Sequence, residues 1–186
     1  MRGEIYILSG SSGVGKGTVL KKFFERNKNF QLSVSCTTRQ PRAGEIDGVN
    51  YFFITKSEFD TLVKNNSFLE WAEFSGNFYG TKKDYVEKVL DSGKNIILEI
   101  DTVGALKVKS ILPDVKMIFI LPPSMEELEA RLRGRNTETE EAIQKRLQSI
   151  KLEIENSKLY DYKIINDDIE TAVSELEKIL CNKTME

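Results

Sequence analysis

One stretch narrows the possible folds more than any other. Residues 6–24 read YILSGSSGVGKGTVLKKFF. An apolar run rich in β-formers leads into closely spaced glycines and a lysine. Val19, Leu20, Phe23 and Phe24 then recur at helical spacing. Strand, glycine-rich turn and helix in that order can cradle a phosphate. Glycines allow backbone N–H groups to converge, a helix N-terminus faces the anion, and an ammonium bridges the outer phosphates. Gly10, Ser11, Ser12, Gly13, Val14, Gly15, Lys16, Gly17 and Thr18 form this loop. A glycine-rich turn with an exposed lysine is the plain alternative, and the flanking strand and helix favour the phosphate reading. The strict pattern G-x-x-x-x-G-K-[ST] fails at its last letter, because Gly17 has no hydroxyl to offer a metal. Thr18 can still reach a phosphate from the helix start. Glu99 and Asp101, ending an apolar strand, could hold a magnesium ion through its waters; a solvated strand end is the other reading of that pair.

The rest of the chain predicts an α/β fold. Apolar runs at 95–101 (NIILEID) and 116–122 (KMIFILP) suit central parallel strands. Segments 30–36 and 160–167 read as further strands, and 51–55 as a short one. FLEWAEF-SGN-FYGT reads as a hairpin around a three-residue turn. Helical spacing marks 56–66, 82–90, 124–135, 137–157 and a terminal helix carrying Ile169, Ala172, Val173, Leu176 and Ile179. Ser124 with Glu127 suggests a capping box. Strands alternating with helices imply a three-layer sandwich around a parallel sheet, with ligands at the carboxyl ends of the strands. Residues 37–81 break the alternation and read as an insertion.

Composition excludes several functions. The 186 residues, 40% hydrophobic and 30% charged, fit one ordinary domain. A formal net charge of −2 argues against a nucleic-acid partner. The absence of histidine removes a histidine base or ligand. Only two cysteines are present, Cys36 and Cys181, far apart in sequence, so neither a disulfide framework nor a zinc spacing is available. No apolar run approaches a membrane span and no signal pattern opens the chain, so no membrane and a cytoplasmic location are expected.

Within the insertion, Arg39 and Arg42 flank a proline turn and Tyr51 follows. Two guanidinium forks and a phenol could receive a second phosphate. Spacing alone leaves a surface loop with solvated arginines equally open.

Four segments together, SVSCTTRQPRAGEIDGVNYFF, FLEWAEFSGNFYGT, LEIDTVGA and GRNTETEEAIQKRL, resemble guanylate kinase in order and spacing, over Ile5 to Leu180. The resemblance implies transfer of the ATP γ-phosphoryl to GMP, and to dGMP, with Mg2+, for purine nucleotide supply. It also implies a core (1–36, 82–134, 158–186), a GMP-binding insertion (37–81) and a helical lid (135–157). By the same resemblance Arg39, Arg42, Tyr51 and Tyr79 would grip the GMP phosphate. Ser35, Glu70 and Thr81 would read guanine, with Asp101 close by. Arg131, Arg135 and Arg146 would approach the transferring phosphates together with Lys16 and Arg39, and Asn166 would lie near adenine. Two positions depart from the family's pattern: Gly17 replaces a serine, as in adenylate kinases, and Val103 replaces a glutamine. A non-catalytic interaction module of the same fold, or a kinase of another phosphorylated acceptor, are the competing readings. A monomer or a homodimer is compatible with the chain.

Overall fold

The opening apolar run forms strand β1 (Ile5–Gly10), with Tyr6, Ile7, Leu8 and Ser9 buried. The computed structural model describes residues 1–134 and 139–181. In chain order the next elements are α1 (Lys16–Arg26), β2 (Phe30–Leu32), β3 (Cys36–Thr37), β4 (Phe52–Phe53) and α2 (Lys56–Lys64). Then come β5 (Phe68–Phe74), β6 (Asn77–Lys82), α3 (Lys83–Asp91), β7 (Asn95–Glu99) and α4 (Thr102–Ile111). The chain ends with β8 (Lys116–Leu121), α5 (Met125–Arg133), α6 (Glu140–Asn156), a 3-10 turn (Ser157–Leu159), β9 (Tyr162–Ile165) and α7 (Ile169–Cys181). The main sheet has the order β2-β7-β1-β8-β9. Its β2–β7 and β8–β9 pairs are parallel, and the fold is the α/β type with a central parallel sheet.

The chain forms two compact units, and β1 contributes residues to both. The first comprises Met1–Ile7 and Asn29–Val115. Here β2 and β7 pair, and Ile96 N–H donates to Glu4 O at 2.9 Å, beside the start of β1. A second sheet of order β4-β3-β6-β5 belongs to this unit. Cys36, Phe59 and Phe68 form its apolar centre, with Phe52, Ile54, Leu62, Val63 and Phe78 against them. Burial raises the Cys36 thiol to about 11, so it is a packing residue rather than a nucleophile. The second unit comprises Leu8–Lys28 and the chain from Lys116 onward. Its helices α5 and α6 bury Leu128, Leu132, Ile143, Leu147 and Ile150 together, with Met125 and Ile154 packed alongside. Ion pairs of Lys22 and Arg26 with Glu170 tie α1 to α7.

Several elements differ from the sequence expectation for local reasons. The run 30–36 is two strands, because β2 pairs with β7 while β3 pairs with β4 and β6 of the other sheet. The β5–β6 turn is two residues long, not three: Ser75 and Gly76 have φ of 51° and 73°, and Asn77 already pairs with Phe74. The helix expected from residue 82 begins at Lys83, since Lys82 ends β6. Helix α4 was not expected at all. Its interior Gly104 and β-branched Val103 and Val108 blunt the helical pattern. Asp101, read as a strand end, is its N-cap and accepts from Gly104 N–H at 2.7 Å. Ser124 does cap α5 by accepting from Glu127 N–H, while the Glu127 carboxylate is engaged by Arg131. In α7, Leu180 is more buried than Ile179.

Candidate active site

The second unit holds the glycine loop. Val14, 0% exposed, anchors its middle, and Val14 N–H donates to Ser11 O. Gly15 lies at φ 92°, and a Cβ there would stand 2.6 Å from the Asn166 side-chain amide. Both facts require glycine at this corner. Gly15 O then accepts the first helical bonds of α1, from Thr18 and Val19. The Lys16 ammonium folds over the loop and donates to the carbonyls of Gly10 and Ser11. Gly17 is different: a Cβ would meet nothing within 4 Å, so no contact demands glycine there.

Asn166 is a brace for this loop. It is 3% exposed, its amide nitrogen donates to Val14 O at 2.7 Å, and its backbone N–H donates to Leu121 O at 2.8 Å. Its side-chain oxygen and the Ser11 hydroxyl are buried without a hydrogen-bond partner. Arg131 donates to Asn166 O at 3.3 Å and pairs with Glu127. Arg146 lies half-buried on α6. Arg135 lies outside the described residues.

The first unit holds two further clusters. In one, the Arg39 guanidinium donates to both oxygens of Glu45, at 2.8 and 3.0 Å, and to Gln40 O at 2.7 Å. It stands 5.5 Å from the Tyr51 ring centre, and Tyr51 meets Tyr79 edge-on at 6.0 Å. Burial raises the Tyr51 phenol. Glu45, which the sequence reading missed, also accepts from Arg42 N–H at 2.7 Å. The Arg39 fork and this N–H hold its carboxyl below the usual range. The Arg42 side chain is exposed on the same turn.

The other cluster is built by the β5–β6 register. Glu70 and Thr81 are cross-strand partners, and the Thr81 hydroxyl donates to Glu70 Oε1 at 2.7 Å. Glu70 is 7% exposed and Thr81 0%. Burial raises the Glu70 carboxyl above its ordinary value; the Thr81 hydrogen bond opposes this and the nearby Asp101 charge adds to it. Because the Thr81 proton is committed to Glu70, Thr81 can offer a ligand only an acceptor. Ser35 lies in the link between β2 and β3, and its carbonyl accepts from Phe52 N–H at 2.9 Å. Glu99 is half-buried at the end of β7, and Val103 is 59% exposed on the first turn of α4.

The structure thus gathers Gly10–Thr18 with Asn166 and Arg131 in one unit. In the other it gathers Arg39, Tyr51 and Tyr79, and separately Glu70 and Thr81. Among the described residues no group of three or more acidic or cysteine side chains could hold a metal unaided. The oxygen donors Glu99 and Asp101 fit a magnesium ion held through waters and carried by a nucleotide.

Comparison with known proteins shows the family of the chain. The sequence model of the family described as guanylate kinase matches residues 2–183. The chain is 50% identical over 179 residues to a guanylate kinase of Halalkalibacterium halodurans, covering 96% of this chain and 88% of that one. A guanylate kinase of Clostridium perfringens is 52% identical over 179 residues, covering 96% and 83%. One of Synechocystis is 46% identical over 180 residues, covering 97% and 94%. The crystal structure of guanylate kinase from Anaplasma phagocytophilum superposes with a TM-score of 0.79 at 38% identity, covering 100% of this chain and 88% of that one.

Proposed function

As the chain belongs to the guanylate kinase family, we propose that it transfers the γ-phosphoryl of ATP to GMP, giving ADP and GDP. One observation carries the choice of acceptor: the buried Glu70–Thr81 pair. Guanine presents adjacent N1–H and N2–H donors, which a carboxylate accepts together. Adenine lacks the N1–H and carries an amine in place of O6, so it would leave buried groups unpaired. dGMP presents the same base to Glu70 and Thr81 and is an acceptor as well.

Arg39, Arg42, Tyr51 and Tyr79 bind the GMP phosphate. The Arg39 fork, already aligned on the Glu45 carboxylate, has the geometry that a phosphate needs. The loop from Gly10 to Thr18 binds the triphosphate of ATP, with Lys16 exchanging the Gly10 and Ser11 carbonyls for phosphate oxygens. Asn166 holds that loop in shape and lies beside the adenine. Glu99 and Asp101 would hold the waters of a magnesium ion carried by ATP, which would supply charge neutralisation at the phosphates.

An oxygen of the GMP phosphate attacks the γ-phosphorus in line. The bond from that phosphorus to the β,γ-bridging oxygen breaks, and ADP leaves. The attacking oxygen is already ionised, so no general base is required. Catalysis is positioning and charge stabilisation by Lys16, Arg39, Arg131, Arg135 and Arg146. Residues 135–157 act as a lid that closes over the nucleotides and excludes water.

Product analysis tests the reading. Chromatography of a reaction with ATP, Mg2+ and GMP should show ADP and GDP in equal amounts. Formation of neither would overturn it, in favour of a module that has kept only the fold or a kinase of another phosphorylated acceptor.

A further inference from the structure

Gly104 sits inside a helix, where glycine is less favourable than alanine. Its backbone does not ask for glycine, since its φ is not among the positive values. Its neighbours do. A Cβ at Gly104 would stand 2.9 Å from Glu70 Oε2, 3.4 Å from Glu70 Cδ and 3.4 Å from Asp101 Oδ1. The Glu70 carboxylate therefore lies against the first turn of α4, over the face that any side chain would occupy. Its other oxygen is fixed by Thr81 at 2.7 Å. The Gly104 N–H is itself directed to Asp101.

We propose that Gly104 is a positioning residue for the acceptor base: the missing side chain leaves the space in which Glu70 Oε2 lies, and so aims both Glu70 oxygens at guanine. The inference rests on the reading of Glu70 as the guanine-reading carboxylate. A methyl group at 104 presses on the far end of a flexible side chain, not on backbone. The fold can absorb it by turning the Glu70 carboxylate about the oxygen that Thr81 holds. That turn takes Oε2 away from its hydrogen-bond direction, where strength falls steeply with angle.

Steady-state kinetics and thermal unfolding of Gly104→Ala, Glu70→Ala and the double variant test this. Gly104→Ala should raise KM for GMP by about tenfold or more, the share of one hydrogen bond to a charged group. The KM for ATP and kcat should stay within about threefold, as expected when only acceptor binding is lost. Its Tm should hold or rise, because alanine is the better helix former. In the Glu70→Ala background the same change should alter KM for GMP by less than about twofold, because the two positions act through one group. An unchanged KM for GMP in Gly104→Ala, a full additional loss in the double variant, or an unfolded Gly104→Ala protein would each overturn the proposal. Failure of the unmodified chain to phosphorylate GMP would overturn the functional reading itself, and is seen before any variant is made.

Discussion

At the scale of single residues, the phosphate loop separates two glycines that look alike in sequence. Gly15 is held by its left-handed backbone and by Asn166, whereas Gly17 faces open space. Gly17→Ser restores the hydroxyl of the strict motif without a clash, and should leave kcat within about tenfold of the parent, under ~1.4 kcal/mol of barrier. Lys16→Met removes the cation from the transferring phosphate, and should lower kcat by roughly 100-fold or more. A large gain from Gly17→Ser would mean that the natural loop holds metal poorly. Glu70 makes a second prediction. Its folded carboxyl titrates above the unfolded one because burial disfavours the charge. The folded state therefore binds more protons between those two values, and stability falls as pH rises through that window. Glu70→Gln keeps the shape and the Thr81 bond but never ionises. Its Tm should exceed that of the parent at pH 8, and the gap should close as the pH is lowered towards ordinary glutamate values. A gap that widens on acidification would contradict the burial argument.

At the scale of elements, helices α5 and α6 form the apolar cluster of Leu128, Leu132, Ile143, Leu147 and Ile150, while the opposite face of α6 is charged. If residues 135–157 close on nucleotide, amide exchange along α6 should slow when ATP analogue and GMP are both present. Equal protection with and without nucleotides would count against a moving lid. How far these elements could be read beforehand depended on their chemistry. The strand, glycine loop and helix from β1 to α1 announce themselves, because glycine spacing and a helical apolar stripe are both strong signals. The arginines of the β3–β4 turn do not: their spacing fits a solvated loop as well as a phosphate site, and the family resemblance decided between the two. Helix α4 was hidden because Gly104 and the valines weaken its pattern, and the reason for that glycine is a carboxylate 34 positions earlier in the chain. The Glu70–Thr81 pair is set by strand register, which residue spacing does not reveal; only the family resemblance singled those residues out. Glu45 was missed because an acid in a turn has no distinctive spacing, and its role depends on where the Arg39 fork points. Asn166 was expected beside adenine, and its bond to Val14 O could be seen only in three dimensions.

At the scale of the whole molecule, one compact unit contains the Gly10–Thr18 loop and the other contains the Arg39 cluster and the Glu70–Thr81 pair, and the proposed function draws on each. A ligand that binds only the folded chain adds about 2.7 kcal/mol at 100 times its Kd. For a protein of this size that is a rise in Tm of about 5–10 °C. GMP alone should produce such a rise in the parent and much less in Glu70→Ala. An equal shift in both would remove Glu70 from the site. The central claim is that the buried Glu70–Thr81 pair selects guanine, and acceptor discrimination tests it most directly. kcat/KM should be measured for GMP and AMP with ATP and Mg2+ held saturating. The account predicts that GMP exceeds AMP by roughly 10⁴-fold, the discrimination typical of a site whose buried polar groups the wrong ligand leaves unpaired. Equal values for the two acceptors would contradict it.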